Sequence, residues 1–361
     1  MFLFLASLVI LVFLLSWGAT YGSRWLAHRT GAIDQAVGGR KIHTRATPLL
    51  GGWGIGAVII LFILLGMQLG WFEARDLRSA QLIGFLIGIL ILLIGGFLDD
   101  RYALSPKIQI LFPVMAALSV IFGGTTIIQL TNPGGGALSL LWQHVTWQIG
   151  GKTFSLSFPA DALSFVWLLA VTYATKFLDG LDGLVSGQTV IGAGLIAALA
   201  LSAAFYQPHV AILALIVGAA FAGFLPTNLH PAKQFLGESG STIAGFSLGF
   251  LAIVAGTKVA TAFMALGLPL ADASLVILGR LLHGASPFRG DDTHLHFKLL
   301  KSGLSQRAVV ILLWSISLFF GITALGLQTK GKILLIIALL ALTFFLSYFA
   351  ALRQRANKKS V

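Results

Sequence analysis

Cysteine is missing from this chain altogether, which excludes disulfides, thiolate chemistry and cysteine-based zinc sites. Charge is also scarce. Asp, Glu, Lys and Arg make up 10% of the residues, whereas a soluble domain carries about 25%. Acids are the rarer sign, 12 against 24 Lys and Arg, giving a formal net charge of +12. That excess does not point to nucleic acid, because the basic residues lie in short loops beside apolar runs. There they set membrane orientation and meet anionic lipid. No long internal repeat and no separate soluble domain can be read.

What is abundant is apolar. Of the 361 residues, 57% are hydrophobic and the mean hydropathy is +0.93. Runs near 20 apolar residues recur, each long enough to cross a hydrocarbon core of about 30 Å. The chain therefore reads as an all-α polytopic transmembrane bundle, one integral-membrane domain over 1–361. Its 11 expected spans lie near 2–21, 49–70, 80–98, 107–128, 161–178, 187–205, 209–227, 242–257, 259–279, 308–327 and 333–352. No basic region precedes the first, so it reads as a retained span rather than a cleaved signal.

The loops fall into two alternating sets. One comprises 22–48, 99–107, 176–186, 228–241, 280–307 and the basic tail 353–361, and holds 18 of the 24 Lys and Arg. The positive-inside rule makes that set cytoplasmic, with the N-terminus outside and the C-terminus inside. The tail reads as unstructured. The long external stretch, 129–160, carries the turn signal Asn132-Pro-Gly-Gly-Gly136, and its segments Trp147–Ile149 and Thr153–Phe158 suit a small β-hairpin around Gly150-Gly151.

Eight of the 12 acids lie in the cytoplasmic set, and polar clusters there suggest a site for a charged substrate at the lipid boundary. Asp99-Asp100 closes the third span. Adjacent carboxylates repel, so they need a cation, a proton or a basic partner, and at a helix C-terminus they oppose the macrodipole. Arg101 offers the bland alternative of a local partner. Asp179 and Asp182, each followed by Gly, share a face if their turn is helical. Alternatively they form a polar turn between spans. Gly237-Glu-Ser-Gly-Ser241 suits an anion nest at a helix start, or ordinary capping, with Glu238 free to meet a cation. His294 and His296 fit an ordered phosphate-binding loop, 280–307, with Lys298, Lys301 and Arg307 around it; the plain reading is a basic loop that only sets topology. Arg40, Lys41 and His43 in the first cytoplasmic loop could grip phosphates, and the glycines 51, 52, 54 and 56 could serve close helix packing.

Taken in order over 34–307, these clusters resemble the polyprenyl-phosphate N-acetylhexosamine-1-phosphate transferases. The matching pieces are Asp34…Arg40-Lys41-Ile-His43…Pro48-Leu-Leu-Gly51-Gly52, Asp99-Asp100, Phe177-Leu-Asp-Gly-Leu-Asp-Gly183, Asn228…Pro231-Ala…Gly237-Glu-Ser-Gly-Ser241 and the late His294-Leu-His296. The late loop is similar to the branch using UDP-N-acetylglucosamine or a related UDP-sugar. The resemblance implies transfer of a sugar 1-phosphate from a UDP-sugar to a polyprenyl phosphate, with release of UMP, at the cytoplasmic face of a prokaryotic plasma membrane. Partners would be those substrates, the membrane and a second copy of the chain as a homodimer, with no nucleic acid. Mg²⁺, or Mn²⁺, would be the cofactor. It implies Asp99, Asp100, Asp179, His294 and His296 as catalytic, and Arg40, Lys41, His43, Asp182, Asn228 and Lys176 as substrate-binding. Asp179 and Glu238 would serve the metal.

Several positions depart from the family pattern. Lys176 stands where Asn is usual, Glu238 where Asp is usual, and Gln109 where Lys is usual, with Lys107 two residues earlier. Asp292, Phe297 and Ala36 replace a common Arg, a third His and a Pro. In relatives, positions 176 and 238 lie at the magnesium. Lys176 and Glu238 are therefore expected to pair and to shift any metal toward Asp99, Asp100 and Asp179. Two other readings stay open: a transporter, for which only the in-span Asp272 speaks, and a family member without catalysis.

Overall fold

The computed structural model describes residues 1–35, 46–72, 77–132, 134–149, 152–256, 267–282, 284 and 293–359. The expected site residues Arg40, Lys41 and His43 lie outside this set, as do Ala36, Asp291, Asp292 and the start of the expected ninth span.

Apolar runs become helices because no water is available in lipid to satisfy an open backbone. Nine helices among the described residues are long and apolar enough to cross a membrane. They are α1 (Phe2–Thr30), α2 (Gly51–Gln68), α3 (Ser79–Tyr102), α6 (Ala160–Leu178), α7 (Leu184–Leu201), α8 (Pro208–Asn228), α9 (Gly237–Val254), α12 (Gln306–Leu325) and α13 (Thr329–Lys359). The chain is a multi-pass membrane protein. Two further expected spans are shorter. The ninth is α10 (Gly267–Leu282). The fourth is broken into α4 (Pro106–Gln109) and α5 (Leu111–Phe122). The break at Ile110 follows from Pro113, whose ring clashes with the carbonyl four residues earlier. A short α11 (Leu295–Lys301) follows His294. The basic tail is not loose, since α13 continues through it to Lys359.

Small strands fill the connections. The expected hairpin forms and is longer than its sequence signal, β5 (Leu141–Ile149) against β6 (Lys152–Pro159), with Trp147 opposite Phe154. Beside it, β3 (Gln129–Thr131) pairs with β4 (Ala137–Ser139). At the base of the first loop, β1 (Ile33–Asp34) meets β2 (Thr47–Pro48).

At the centre stands α9, with 89% of its apolar window buried, while α1 and α13 lie outermost at 22% and 17%. Its sequence explains the position. Gly and Ser recur along GESGSTIAGFSLGF, and small residues let helix backbones approach closely where lipid offers no hydrophobic drive. Phe250 and Phe246 stack on Phe85 of α3 at 4.3 and 5.5 Å. The start of α9 is wedged between neighbours. A Cβ on Gly96 of α3 would strike the backbone of Ser239, and one on Gly52 of α2 would strike that of Gly240. The amides of Gly51 and Gly52 donate to the carbonyls of Phe235 and Leu236 at 3.1 and 2.8 Å. The end of α3 and the starts of α2 and α9 thus form one block.

Candidate active site

At that block the expected clusters converge. Asp100 ends its own helix unfavourably, but its carboxylate reaches the N-terminus of α9. Both oxygens receive the Glu238 amide, at 3.0 and 3.2 Å. An anion at a helix start satisfies an open N–H and complements the dipole. Of the two readings of 237–241, this contact is the capping one, with the cap supplied by Asp100 of another helix. Gly237 is required there: its φ is +71°, and a Cβ would collide with the Asp100 carboxylate. Arg101 is not the partner of the acid pair in this arrangement. Its guanidinium lies 5.5 Å from the Tyr102 ring centroid and 3.6 Å from the position of a Cβ on Gly31.

Asp99 turns the other way. Its Oδ1 receives the Leu104 amide at 2.9 Å and Gln109 Nε2 at 2.7 Å. Gln109 Oε1 accepts from Lys176 Nζ at 3.1 Å, and Lys176 Nζ donates to Glu238 Oε1 at 2.6 Å. The expected Lys176–Glu238 pair therefore forms. Gln109, Lys176 and Glu238, each a departure from the family pattern, belong to one hydrogen-bonded chain, which Asp99 and Asp100 close at its two ends. The Lys176 ammonium also lies 5.7 Å from the Tyr173 ring centroid. A recess between α3, α5 and α9 opens on this chain. Asp99, Gln109 and Glu238 line it together with Leu92, Phe112 and Pro113.

The Asp179-Asp182 turn is not helical, and the two acids separate in role. Asp182 Oδ2 receives the Ala232 amide at 3.1 Å and lies 2.8 Å from His230 Nδ1. The Asp179 side chain makes no hydrogen bond among the described residues, while its amide donates to the Lys176 carbonyl at 3.3 Å. Asp179 is exposed at the protein surface, although many protein atoms crowd around its carboxyl group. The loss of hydration, with Glu238 and Asp182 nearby, pushes its carboxyl up to about 7. Asn228 is 4% exposed, and both its amide oxygen and its amide nitrogen have partners. Its Oδ1 receives Ser186 Oγ at 2.7 Å and the Gly183 amide at 3.2 Å, and its Nδ2 donates to the Gln234 carbonyl at 3.1 Å. Asn228 therefore shapes the turn that carries Asp179 and Asp182.

The histidine loop leans on the same turn. A Cβ on Gly180 would meet the rings of His296 and Phe297, and Phe177 stacks on His294 at 5.7 Å. Asp272, a residue the sequence reading left in a span without a partner, holds this loop. Its Oδ1 receives the Leu295 amide at 2.9 Å, and its Oδ2 lies 2.8 Å from His294 Nδ1. A carboxylate at Nδ1 fixes the tautomer and leaves Nε2 to face a ligand. His296 is completely buried, and among the described residues neither ring nitrogen has a hydrogen-bond partner. Burial lowers it to about 4, with Asp272 pulling up and His294 pulling down. It is neutral at pH 7, so it offers an N–H rather than a charge. Of the expected basic surround, Lys298 donates to Ser347 at 2.6 Å, and Arg307 donates to the His230 carbonyl at 3.2 and 3.0 Å. Asp272→Asn is expected to lower kcat/KM about 10–100-fold, by releasing the loop and the tautomer. An unchanged pH–rate profile and kcat/KM in that variant would remove Asp272 from the site.

The arrangement can be tested against a divalent cation. Mg²⁺ takes about six oxygens in an octahedron at about 2.1 Å. Here Glu238 holds an ammonium, Asp100 holds a backbone amide, and one oxygen of Asp99 holds two donors. Among the described residues no group of three His, Asp or Glu side chains is placed to hold a metal. The residues present do not fit a metal ion at Glu238.

Fold and site together define a multi-pass membrane protein with carboxylates and histidines gathered at one end of its helices. Comparison with known proteins narrows the class. Residues 82–256 match the family described as Glycosyl transferase family 4. The chain is 30% identical over 340 residues to a probable undecaprenyl-phosphate N-acetylglucosaminyl 1-phosphate transferase of Bacillus subtilis, covering 92% of this chain and 88% of that one. It is 28% identical to a decaprenyl-phosphate N-acetylglucosaminephosphotransferase of Mycolicibacterium smegmatis, over 87% and 79% of the two chains. It is 27% identical to a phospho-N-acetylmuramoyl-pentapeptide-transferase of Halalkalibacterium halodurans, over 80% and 86%. The chain belongs to this family of polyprenyl-phosphate N-acetylhexosamine-1-phosphate transferases.

Proposed function

We propose that the protein transfers a sugar 1-phosphate, GlcNAc-1-phosphate, from its UDP-sugar to a polyprenyl phosphate. UMP leaves, and the lipid-linked sugar feeds cell-envelope polysaccharide synthesis. The relatives named as N-acetylglucosaminyl 1-phosphate transferases support donor and acceptor. The observation that carries the reading is the convergence of Asp99, Asp100, Lys176 and Glu238 in one hydrogen-bonded chain where α3, α6 and α9 meet, beside a small recess lined in part by Leu92, Phe112 and Pro113. A prenyl phosphate has an apolar tail and an anionic head, and a charged centre at the end of apolar spans is where such a head would meet a cation. The Lys and Arg distribution supports 11 spans, an external N-terminus and a cytoplasmic site in a prokaryotic plasma membrane.

A lipid phosphate oxygen attacks the sugar-linked phosphorus. The bond from that phosphorus to the bridging oxygen breaks, and UMP departs with the electron pair. Positioning and charge stabilisation carry most of such a barrier. Asp99, whose Oδ2 accepts no hydrogen bond among the described residues, orients the lipid phosphate and takes its proton where one is present; the second phosphate pKa near 6 makes that a small task at neutral pH. Lys176 supplies positive charge beside the recess. His294, held by Asp272, and neutral His296 offer ring N–H groups or lone pairs to the diphosphate side. Asp182 and Asn228 hold the nucleotide-side turn in shape, and Arg40, Lys41 and His43 add phosphate-binding charge from the first loop.

The deciding experiment is UMP release by purified protein with undecaprenyl phosphate and UDP-N-acetylglucosamine. Release that depends on both substrates supports the reading. Folded protein that releases none with any UDP-sugar overturns it. A pH dependence should accompany the activity. Asp179 is neutral below about 7 and anionic above it, whereas His296 stays neutral throughout because it titrates near about 4. The rate should therefore rise with pH through about 7. Asp179→Asn should lose that limb and keep only the lipid phosphate's own, near 6. An identical profile in Asp179→Asn would assign the limb elsewhere.

A further inference from the structure

The acidic centre already contains a cation. Asp99, Asp100, Asp179 and Glu238 lie close enough to interact electrostatically, and they converge on a place where two phosphates must also meet. Lys176 brings an ammonium into that group. It is only partly exposed, 18% at the side chain against 16% for Glu238. Its position is held on three sides, by Glu238 at 2.6 Å, by Gln109 at 3.1 Å and by the face of Tyr173. Gln109 is itself fixed, because its amide nitrogen donates to Asp99 and to the Leu104 carbonyl. A lysine on a free surface would not be held by so many partners, and a long flexible side chain loses rotamer entropy when fixed in this way.

We propose that Lys176 is the resident cation of this centre, standing where a divalent ion would otherwise bind Glu238, so that the protein holds no metal at that carboxylate. The inference rests on the transferase reading. The ammonium already sits on Glu238 Oε1, so a divalent ion in contact with Glu238 would face a fixed positive charge at close range. The ammonium supplies the attraction for phosphate oxygens that a metal would supply, with a weaker charge but in a fixed position. Gln109 sets its direction. The longer Glu, in place of the Asp usual in the family, brings the carboxylate within hydrogen-bond reach of Nζ.

Two measurements on full-length protein in detergent test this. The first compares lipid-dependent UMP release in Mg²⁺ and in EDTA, for the wild type and for Lys176→Asn/Glu238→Asp. EDTA is expected to slow the wild type by less than about tenfold and the double variant by more than about 100-fold, with Mg²⁺ restoring the variant. Equal sensitivity of the two proteins to EDTA overturns the inference. The second measures Mn²⁺ binding by electron paramagnetic resonance without substrate. The wild type and Glu238→Gln should bind Mn²⁺ equally poorly. Mn²⁺ held by the wild type and lost in Glu238→Gln overturns the inference, even if the double variant fails to fold. Absence of UMP release under every condition would count against the transferase reading instead, and Mn²⁺ binding would still decide the cation.

Discussion

Asp99→Asn is expected to reduce lipid-dependent UMP release by about 10²–10⁴-fold while the protein stays folded. Asn keeps an oxygen for the Leu104 amide and for Gln109, so the local hydrogen bonds survive. What is lost is the negative charge and proton affinity of the carboxylate beside the recess. The neighbouring Asp100→Asn should behave differently. Its carboxylate serves the start of α9 rather than a substrate, and Asn can still accept from the Glu238 amide. The loss is then mainly the charge at the helix N-terminus, about 0.3–1 kcal/mol, with a rate change below tenfold. Purification yield, thermal unfolding in detergent and UMP release measured on both variants separate the two roles. If Asp100→Asn proves the more damaging to rate, the assignments are reversed.

Gly96→Val should be the most destabilising of the small substitutions near the site. Even a Cβ at Gly96 would strike the backbone of Ser239, and backbone has no rotamer through which to retreat. Overpacking of this kind costs about 1–3 kcal/mol. The displacement also falls on the first turn of α9, so Asp100 and Glu238 lose register and activity should fall with stability. Gly194→Ala is the control, because nothing lies within 4 Å of its added Cβ. A melting temperature of Gly96→Val equal to that of the control would show that α3 and α9 can separate at no cost.

Much of the architecture could be read from the sequence because the bilayer imposes a local rule. Each apolar run must be long and helical, and its ends show as Gly, Pro or charge. The hairpin at 141–159 was visible for a similar reason, since its turn glycines and alternating residues are local. The Lys176–Glu238 pair could be anticipated because both positions departed from the family pattern together. What escaped the sequence depends on distant contacts. Asp100 caps a helix through an amide 138 positions later, and no spacing rule spans that distance. Asp272 sits inside an apolar run and gives no sign that it holds His294 and Leu295. Pro113 was legible as a helix breaker, yet the run around it was read as one span. The charge of Lys298 and Arg307 is visible in the sequence, but not that Lys298 donates to Ser347 or that Arg307 donates to the carbonyl of His230, the neighbour of Asp182.

The pairing of Lys176 with Glu238 also constrains inheritance. Either residue changed alone leaves a half-enclosed charge without its counter-ion, and such orphaned charges cost more than the intact pair is worth. Single steps from a lysine–glutamate centre toward an asparagine–aspartate one therefore descend before they rise. The two codons lie in different helices, so a recombination event falling between them, with a relative of the other type, would break the centre in both offspring. Lineages carrying this arrangement should keep it or lose it as a unit, and functional chimeras should have crossovers that leave positions 109, 176 and 238 with a common parent.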